Sequence, residues 1–436
     1  MTARHRVAEP IASRRAFLGG MAGALVLSPL SAQAQRSNAP RSPGGFPRGQ
    51  WTAYGSNTFQ DVIYRVNGKH MGDLKGAPSS SPDLAFVGWC TADYDIDRDE
   101  LPILLCTGHG GWASNEVNTF AMKTGAWRHD VDPTVDLIPA YTQPYAPGTG
   151  VGTRTGGSPF YIDVNNKYAD HAELDSQGRR AYPNMRQSYG ASIYMPSVKR
   201  HFLWGGFLWW DTSLAYVPCE YDAATKRYRS LDLDAGFSYK GHTPYGCWDS
   251  INARVLLHDN DNLWAYYPTR PFGKRVVSLG SRGSEVDNSN TLNQMIFDSK
   301  RNRAVVIGRD AVAPQKGGVC VYDFSKNPHS VSRQIIGNLT GNTECTSIAG
   351  PGGRYDPVAD LYVIWNGGKN LWFIQPDTWA CTLITPSGGD MPSIPVIGLN
   401  PGGGTWHRFF YSPTYDVFGV ISHANEPAYI FAPTRA

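Results

Sequence analysis

Polar side chains recur at one place in this chain. Just past the second hydrophobic strand of successive repeats stand His109, His258 or Asp259, Arg309, Asn366 and His423. Imidazole, guanidinium and amide groups around one opening can hold an anionic or heavily hydroxylated ligand. His109 lies in Gly108-His109-Gly110-Gly111, where the glycines let the backbone bend sharply and leave the ring exposed. His129 follows twenty residues later, at the end of the same repeat. Two histidines with a tyrosine and an arginine suit β-elimination on a uronate. One group abstracts the proton α to the carboxylate, Arg neutralises that carboxylate, and Tyr or His protonates the leaving oxygen. His109 and His129 take those roles from their positions, and Tyr189 and Arg309 from loop placement alone. His258, Asn366 and His423 would add ligand contacts. Trp209 and Trp210, in the aromatic run that starts at Phe207, offer faces on which sugar rings stack. The competing reading is structural: His and Asn in such loops satisfy turn backbone groups, and Trp packs neighbouring strands together.

Two carboxylate clusters raise the question of metal. Asp93-Tyr94-Asp95-Ile96-Asp97-Arg98-Asp99 begins like a calcium loop, but its sixth position is Arg98 rather than Gly and its twelfth is Leu104. Asp259-Asn260-Asp261-Asn262 reads most simply as a turn. No zinc-protease, serine-hydrolase, P-loop or dinucleotide motif falls in a fitting context. The expectation is therefore no cofactor, with metal left unassigned.

The elements that must position these residues come from a phrase written six times: an aromatic, a Pro- or Asp-bearing turn, then a hydrophobic strand. The copies open at Tyr94-Asp95-Ile96-Asp97, Tyr194-Met195-Pro196, Trp248-Asp249-Ser250, Phe297-Asp298-Ser299, Tyr355-Asp356-Pro357 and Tyr411-Ser412-Pro413. After a first interval of 100 residues the anchor aromatics follow at 54, 49, 58 and 56. Each unit continues with a strand, a polar turn and an aromatic, as in Lys123-Thr124-Gly125 before Trp127 and Pro376-Asp377-Thr378 before Trp379. A period near 50 residues built of short strands predicts an all-β fold, a kelch-like β-propeller of four-stranded blades. The blade count is six, or seven if the N-terminal strands and residues 130–187 assemble another. Residues 130–187, rich in Pro and Gly, read as a long insertion. Residues near 58–66 would close the ring with the last repeat.

Gly108-His109-Gly110-Gly111, Asn115-Glu116-Val117, Trp127, Gly205-Gly206 and Gly367-Gly368 resemble the repeats of kelch-type propellers similar to the central domain of galactose oxidase. The resemblance covers most of residues 51–436 and speaks for fold more than activity, because the matching positions are turns and strands. A weaker resemblance to propeller-fold polysaccharide lyases implies the His–His–Tyr–Arg roles above. A copper oxidase would need two Tyr, two His and a Cys–Tyr cross-link, and no such set falls at matching positions.

Residues 1–34 read as an export signal. Ser13-Arg14-Arg15-Ala16-Phe17-Leu18 is a twin-arginine motif, and a short apolar stretch follows before Ala32-Gln33-Ala34. The expected location is periplasmic or secreted, with the twin-arginine translocase as a partner during export and no permanent membrane anchor. Residues 35–50 read as a flexible linker ahead of one propeller domain, 51–436. Without the signal, 36 basic and 36 acidic residues remain. A balanced charge with no Lys/Arg run excludes a nucleic-acid partner; the expected partner is a carbohydrate or other polar ligand at the propeller mouth. Seven scattered cysteines without a CxxC spacing are expected as buried thiols, with Cys90 and Cys106 the best pair if one forms.

Overall fold

Each copy of the phrase folds into the same hairpin, and where its second residue is Asp the side chain shows why. Asp95 Oδ1 accepts from the Asp97 and Arg98 amides, Asp249 Oδ1 from Ile251 and Asn252, and Asp356 Oδ1 from Val358 and Ala359. A short acceptor that bonds amides two and three residues on pins a tight turn. In all six copies the residue five places after the anchor aromatic has positive φ: Asp99, Lys199, Ala253, Asn302, Asp360 and Asp416, between +48° and +55°. That left-handed residue lets the chain reverse and re-enter the sheet. Asp and Asn tolerate it best among residues with a side chain.

The structure, a computed structural model, describes residues 44–76, 81–83, 92–104, 112–138, 160–175, 178–206, 218–231, 244–258, 262–281, 292–309, 318–329, 332–336, 339–397, 400–401 and 404–435. The hairpins build six antiparallel blades. Blade 2 runs outward through Ser192–Met195, Arg200–Leu203, Cys219–Asp222 and Arg227–Ser230. Blade 3 uses Tyr245–Asp249, Arg254–His258, Asn262–Tyr266 and Val276–Ser281, and blade 4 uses Leu292–Asp298, Arg303–Arg309, Gly318–Asp323 and Ser332–Ile336. Blade 5 comprises Gly352–Asp356, Leu361–Trp365, Leu371–Ile374 and Ala380–Ile384, with Thr340–Gly341 added in parallel at its outer edge. In blade 1, residues 92–95 bridge to Glu100–Leu104, which pairs with Val117–Ala121 and then Ala126–Val131.

Blade 6 closes the ring. Phe409–Ser412, Val417–Val420 and Ala428–Phe431 come from the end of the chain, and Trp51–Tyr54 supplies the outer strand in register Trp51↔Phe431 to Tyr54↔Ala428. The closing strand therefore lies ahead of residues 58–66. There, Thr58 and Asp61 form a capping box that starts the short helix Phe59–Val62 instead.

The described residues of 130–187 build no seventh blade. Phe160–Ile162 pairs only with Ala181–Pro183 among the described residues, and Ala172 bridges Tyr228 on the outer strand of blade 2. Its Tyr161, Ala172 and Tyr182 join Leu104, Val117, Leu203 and Tyr221 in one buried cluster. The insertion thus fills the wedge between blades 1 and 2. Elsewhere the core also lies between blades, with one cluster between 2 and 3, one between 3 and 4 and another between 4 and 5. Flat sheets packed face to face leave apolar side chains nowhere else to go.

The central channel is closed by the short 3-10 turn Trp406–Arg408, which leads into blade 6. Trp406 is fully buried, meets Tyr189 edge-on at 5.7 Å and donates Nε1–H to the Asn293 carbonyl. A Cβ at Gly350 would lie 2.6 Å from its ring and one at Gly190 3.1 Å away. Residues leading into blades 2 and 5, on opposite sides of a six-bladed ring, therefore grip one indole between them. Trp406 and Tyr189 both hold positive φ, +41° and +47°. Bulky residues keep that backbone only where their surroundings enforce it.

Candidate functional site

All six hairpin turns open on one end of the channel, and their anchor aromatics line a single bowl there. Each repeat contributes the aromatic and the residue two places on: Tyr94 and Ile96, Tyr194 and Pro196, Trp248 and Ser250, Phe297 and Ser299, Tyr355 and Pro357, Tyr411 and Pro413. The bowl encloses about 290 Å3, with Asp93, Cys247, Met295, Ile296 and Arg354 completing its lining. Three of the tyrosines are fixed by the left-handed residue of their own turn. Tyr94, Tyr355 and Tyr411 donate their hydroxyls to Asp99, Asp360 and Asp416 at 3.1, 2.8 and 3.0 Å. Tyr194 reaches across to Asp97 of blade 1 at 2.6 Å. Tethered hydroxyls hold the rings in place and leave aromatic surface as the bowl's main offering.

The floor carries the only opposite charges of the lining. Asp93 Oδ1 lies 2.5 Å from Arg354 Nη2, and its Oδ2 accepts from the Tyr194 amide at 2.8 Å. Arg354 also donates to the carbonyls of Phe409 and His407. Burial works against the Asp93 charge, but Arg354, then His407 and the Tyr194 amide, more than offset it and hold the carboxyl below its ordinary range. His407, almost wholly buried, sits behind the pair, with Nδ1 2.9 Å from the Ser192 carbonyl and 3.9 Å from Asp93 Oδ1. A carbonyl only accepts, so Nδ1 carries the proton. Burial, reinforced by Arg354, lowers the His407 pKa to about 4 and keeps the ring neutral near pH 7.

The acidic run that begins like a calcium loop is fully engaged in this architecture. Asp93 meets Arg354, Asp95 holds the turn and Arg98, Asp97 accepts from Tyr194, and Asp99 accepts from Tyr94 and Ser412. Among the described residues, no cluster of three or more His, Cys, Asp or Glu could hold a metal ion.

Of the residues expected after the second strands, the described ones, His258, Arg309, Asn366 and His423, stand at the other end of the blades. His109, Asp259, Trp209 and Trp210 lie outside the described residues. His258 is 1% exposed, stacked on Tyr245 at 4.7 Å and within 3.3 Å of the Tyr322 hydroxyl, so its ring is enclosed in the core rather than presented at a rim. Asn366 is buried, and His423 is part-buried with Nδ1 3.9 Å from Asp83. Arg309 ends the second strand of blade 4 opposite Leu292. Tyr189 packs on the channel plug and donates its hydroxyl to Gln187. His129 lies on the outermost strand of blade 1, with Nδ1 2.8 Å from Asn118 Oδ1, Nε2 2.7 Å from Asp132 and Glu116 at 3.6 Å. Among the described candidates, His129 and Tyr189 occupy different blades and different radial positions, outer strand against inner entrance.

The residues overlooked in the sequence are Asp93 as a floor group, Arg354 and His407. A signal was present. The position before each anchor aromatic reads Asp93, Ile193, Cys247, Ile296, Arg354 and Phe410, so only two of the six are charged, and with opposite sign.

Fold and site together define a six-bladed β-propeller with an aromatic-walled bowl at one mouth of a plugged channel. No protein-family model and no curated protein matches the sequence. Among solved structures, that of YjhT aligns over 81% of this chain and 95% of its own, with 8% identity and a TM-score of 0.43.

Proposed function

We propose that this chain is an exported recognition propeller that binds carbohydrate in the six-repeat bowl. One observation carries the reading: every repeat directs its anchor aromatic and the residue two places on to the same cavity. Aromatic faces take the apolar face of a sugar ring, and a few convergent polar groups fix its orientation. Asp93 and Arg354 supply such groups while cancelling each other's charge, which favours a hydroxylated ligand over a strongly charged one. Export by the twin-arginine route, read from residues 13–18, places the protein where extracellular glycans are met. Titration of the purified chain with neutral and uronate oligosaccharides, followed by Trp fluorescence and calorimetry, tests the reading. Saturable binding weakened in Trp248→Ala supports it; no binding across the panel, or binding indifferent to Trp248→Ala and Phe297→Ala, overturns it.

A catalytic reading draws on His129. Asn118, Asp132 and Glu116 orient its imidazole as an acid–base group needs to be oriented. Such a group suits β-elimination on a uronate polymer, but with partners other than Tyr189, which packs on the plug of another blade. The measurement is ultraviolet absorbance of the unsaturated uronate product, and a trace that stays flat with every polymer removes this reading.

A further inference from the structure

We infer that Cys345 and Cys381 are a disulfide site that staples the inward-running segment 340–350 to the outer strand of blade 5. Their Sγ atoms lie 3.9 Å apart, and both residues are buried, at 0% and 3% exposure. Cys381 belongs to Ala380–Ile384, and Cys345 to the 3-10 turn Glu344–Ser347. The two elements are already in register: Gly341 pairs in parallel with Cys381, and the Asn342 amide donates to the Cys381 carbonyl at 3.0 Å. Sulfurs in van der Waals contact on adjoining backbones reach bonding distance through side-chain rotation and a small backbone adjustment. The other described cysteines, Cys219, Cys247 and Cys320, lie in strands of three other blades.

The staple has a place in the architecture. Beyond Cys345 the segment runs inward to Ala349 and Gly350, whose carbonyls accept from the Gly404 and Thr405 amides beside the Trp406 plug. A covalent bond at its outer end fixes the segment that holds the plug from one side.

Bond formation follows ordinary thiol–disulfide exchange. Deprotonated Cys381 attacks an external disulfide, whose leaving thiolate departs. Cys345, losing its proton, then attacks the mixed disulfide, so the Cys345–Cys381 bond forms and the external disulfide leaves as two thiols. Two electrons pass from the cysteine pair to that disulfide. Either sulfur can donate in the contact; with Cys345 as donor, the hydrogen bond lowers the Cys381 pKa, outweighing burial, and makes Cys381 the first nucleophile.

The test uses the full chain refolded in an oxidising glutathione buffer, with oxidised glutathione as the external disulfide and native folding checked by near-ultraviolet circular dichroism. Free thiols are alkylated in denaturant, and the protein is digested and weighed. The expected result is one peptide pair joining Cys345 to Cys381, two hydrogens lighter than the separate peptides. The oxidised chain should melt about 5 °C above the reduced one, since a loop of this length constrains the unfolded state. Cys345→Ser and Cys381→Ser should each abolish the redox dependence of melting. Should a serine variant fail to fold, the wild-type comparison of the two redox forms stands alone. Natively refolded protein with both cysteines alkylated, or either joined to a different cysteine, overturns the proposal.

Discussion

Arg354 Nη2 lies 2.5 Å from Asp93 Oδ1, joining residues 261 apart in the chain and linking blade 5 to blade 1 past the intervening blade 6. The pair forms part of the bowl floor and, with His407 behind it, ties the inner strands together where the channel would otherwise be open. A six-stranded ring of inner edges has no backbone ladder across its axis, so side chains must supply that connection.

Removing Arg354 leaves the buried Asp93 charge without its main partner. Arg354→Ala is expected to cost about 3–5 kcal/mol in urea denaturation. The double variant Asp93→Leu/Arg354→Met should cost clearly less than the sum of the two single changes. Additive losses would show that the pair is not coupled.

Acid should loosen the fold through its buried histidines. His201, fully buried beside Tyr194, and His407 both have pKa values lowered to about 4 by burial, against an ordinary value of about 6.5. Between those values the unfolded chain binds more protons than the folded one. Stability is therefore complete above about pH 6.5 and falls as pH drops towards 4, by up to roughly 3 kcal/mol per histidine. Denaturation midpoints across this window check the slope, and His201→Gln should flatten it by about half.

The turn aspartates hold more than turns. Asp249 bonds the Ile251 and Asn252 amides and lies 2.7 Å from Arg254 Nε, with both side chains fully enclosed. Asp249→Ala should destabilise by about 3–5 kcal/mol, because it strands the guanidinium and frees two amides. Asp249→Asn retains an acceptor for the turn, so its loss should be smaller. Equal losses would make the turn bonds irrelevant.

Ligand binding should follow the bowl's aromatic walls. Trp248→Ala and Phe297→Ala each remove one stacking face and should weaken oligosaccharide binding about tenfold, roughly 1–1.5 kcal/mol. Melting temperature measured alongside separates lost contact from lost fold.

The hairpin phrase was legible because it is local. Aromatic, Asp and a left-handed residue five places on depend on side-chain-to-amide bonds within six residues, so Tyr355-Asp356 and its turn read directly from the sequence. The period near 50 residues followed from repeating that unit, and with it came the propeller. Blade count did not follow, because residues 130–187, rich in Pro and Gly and without the repeated phrase, are long enough to be either an insertion or part of a divergent blade. Only packing against Tyr228 shows that they thicken the seam between blades 1 and 2.

The sequence by itself determined the repeat, the turn chemistry and the all-β class, since each rests on contacts between near neighbours in the chain. The tertiary structure decided which end of the blades gathers a cavity and which charges meet there. Asp93 and Arg354 come together only when six inner strands converge on one axis, and Trp51–Tyr54 rather than residues 58–66 closes the ring through pairing across nearly the whole chain. The anchor aromatics, read at first as marks of a repeat, become the wall of a site because ring closure turns six separate hairpins towards a common centre.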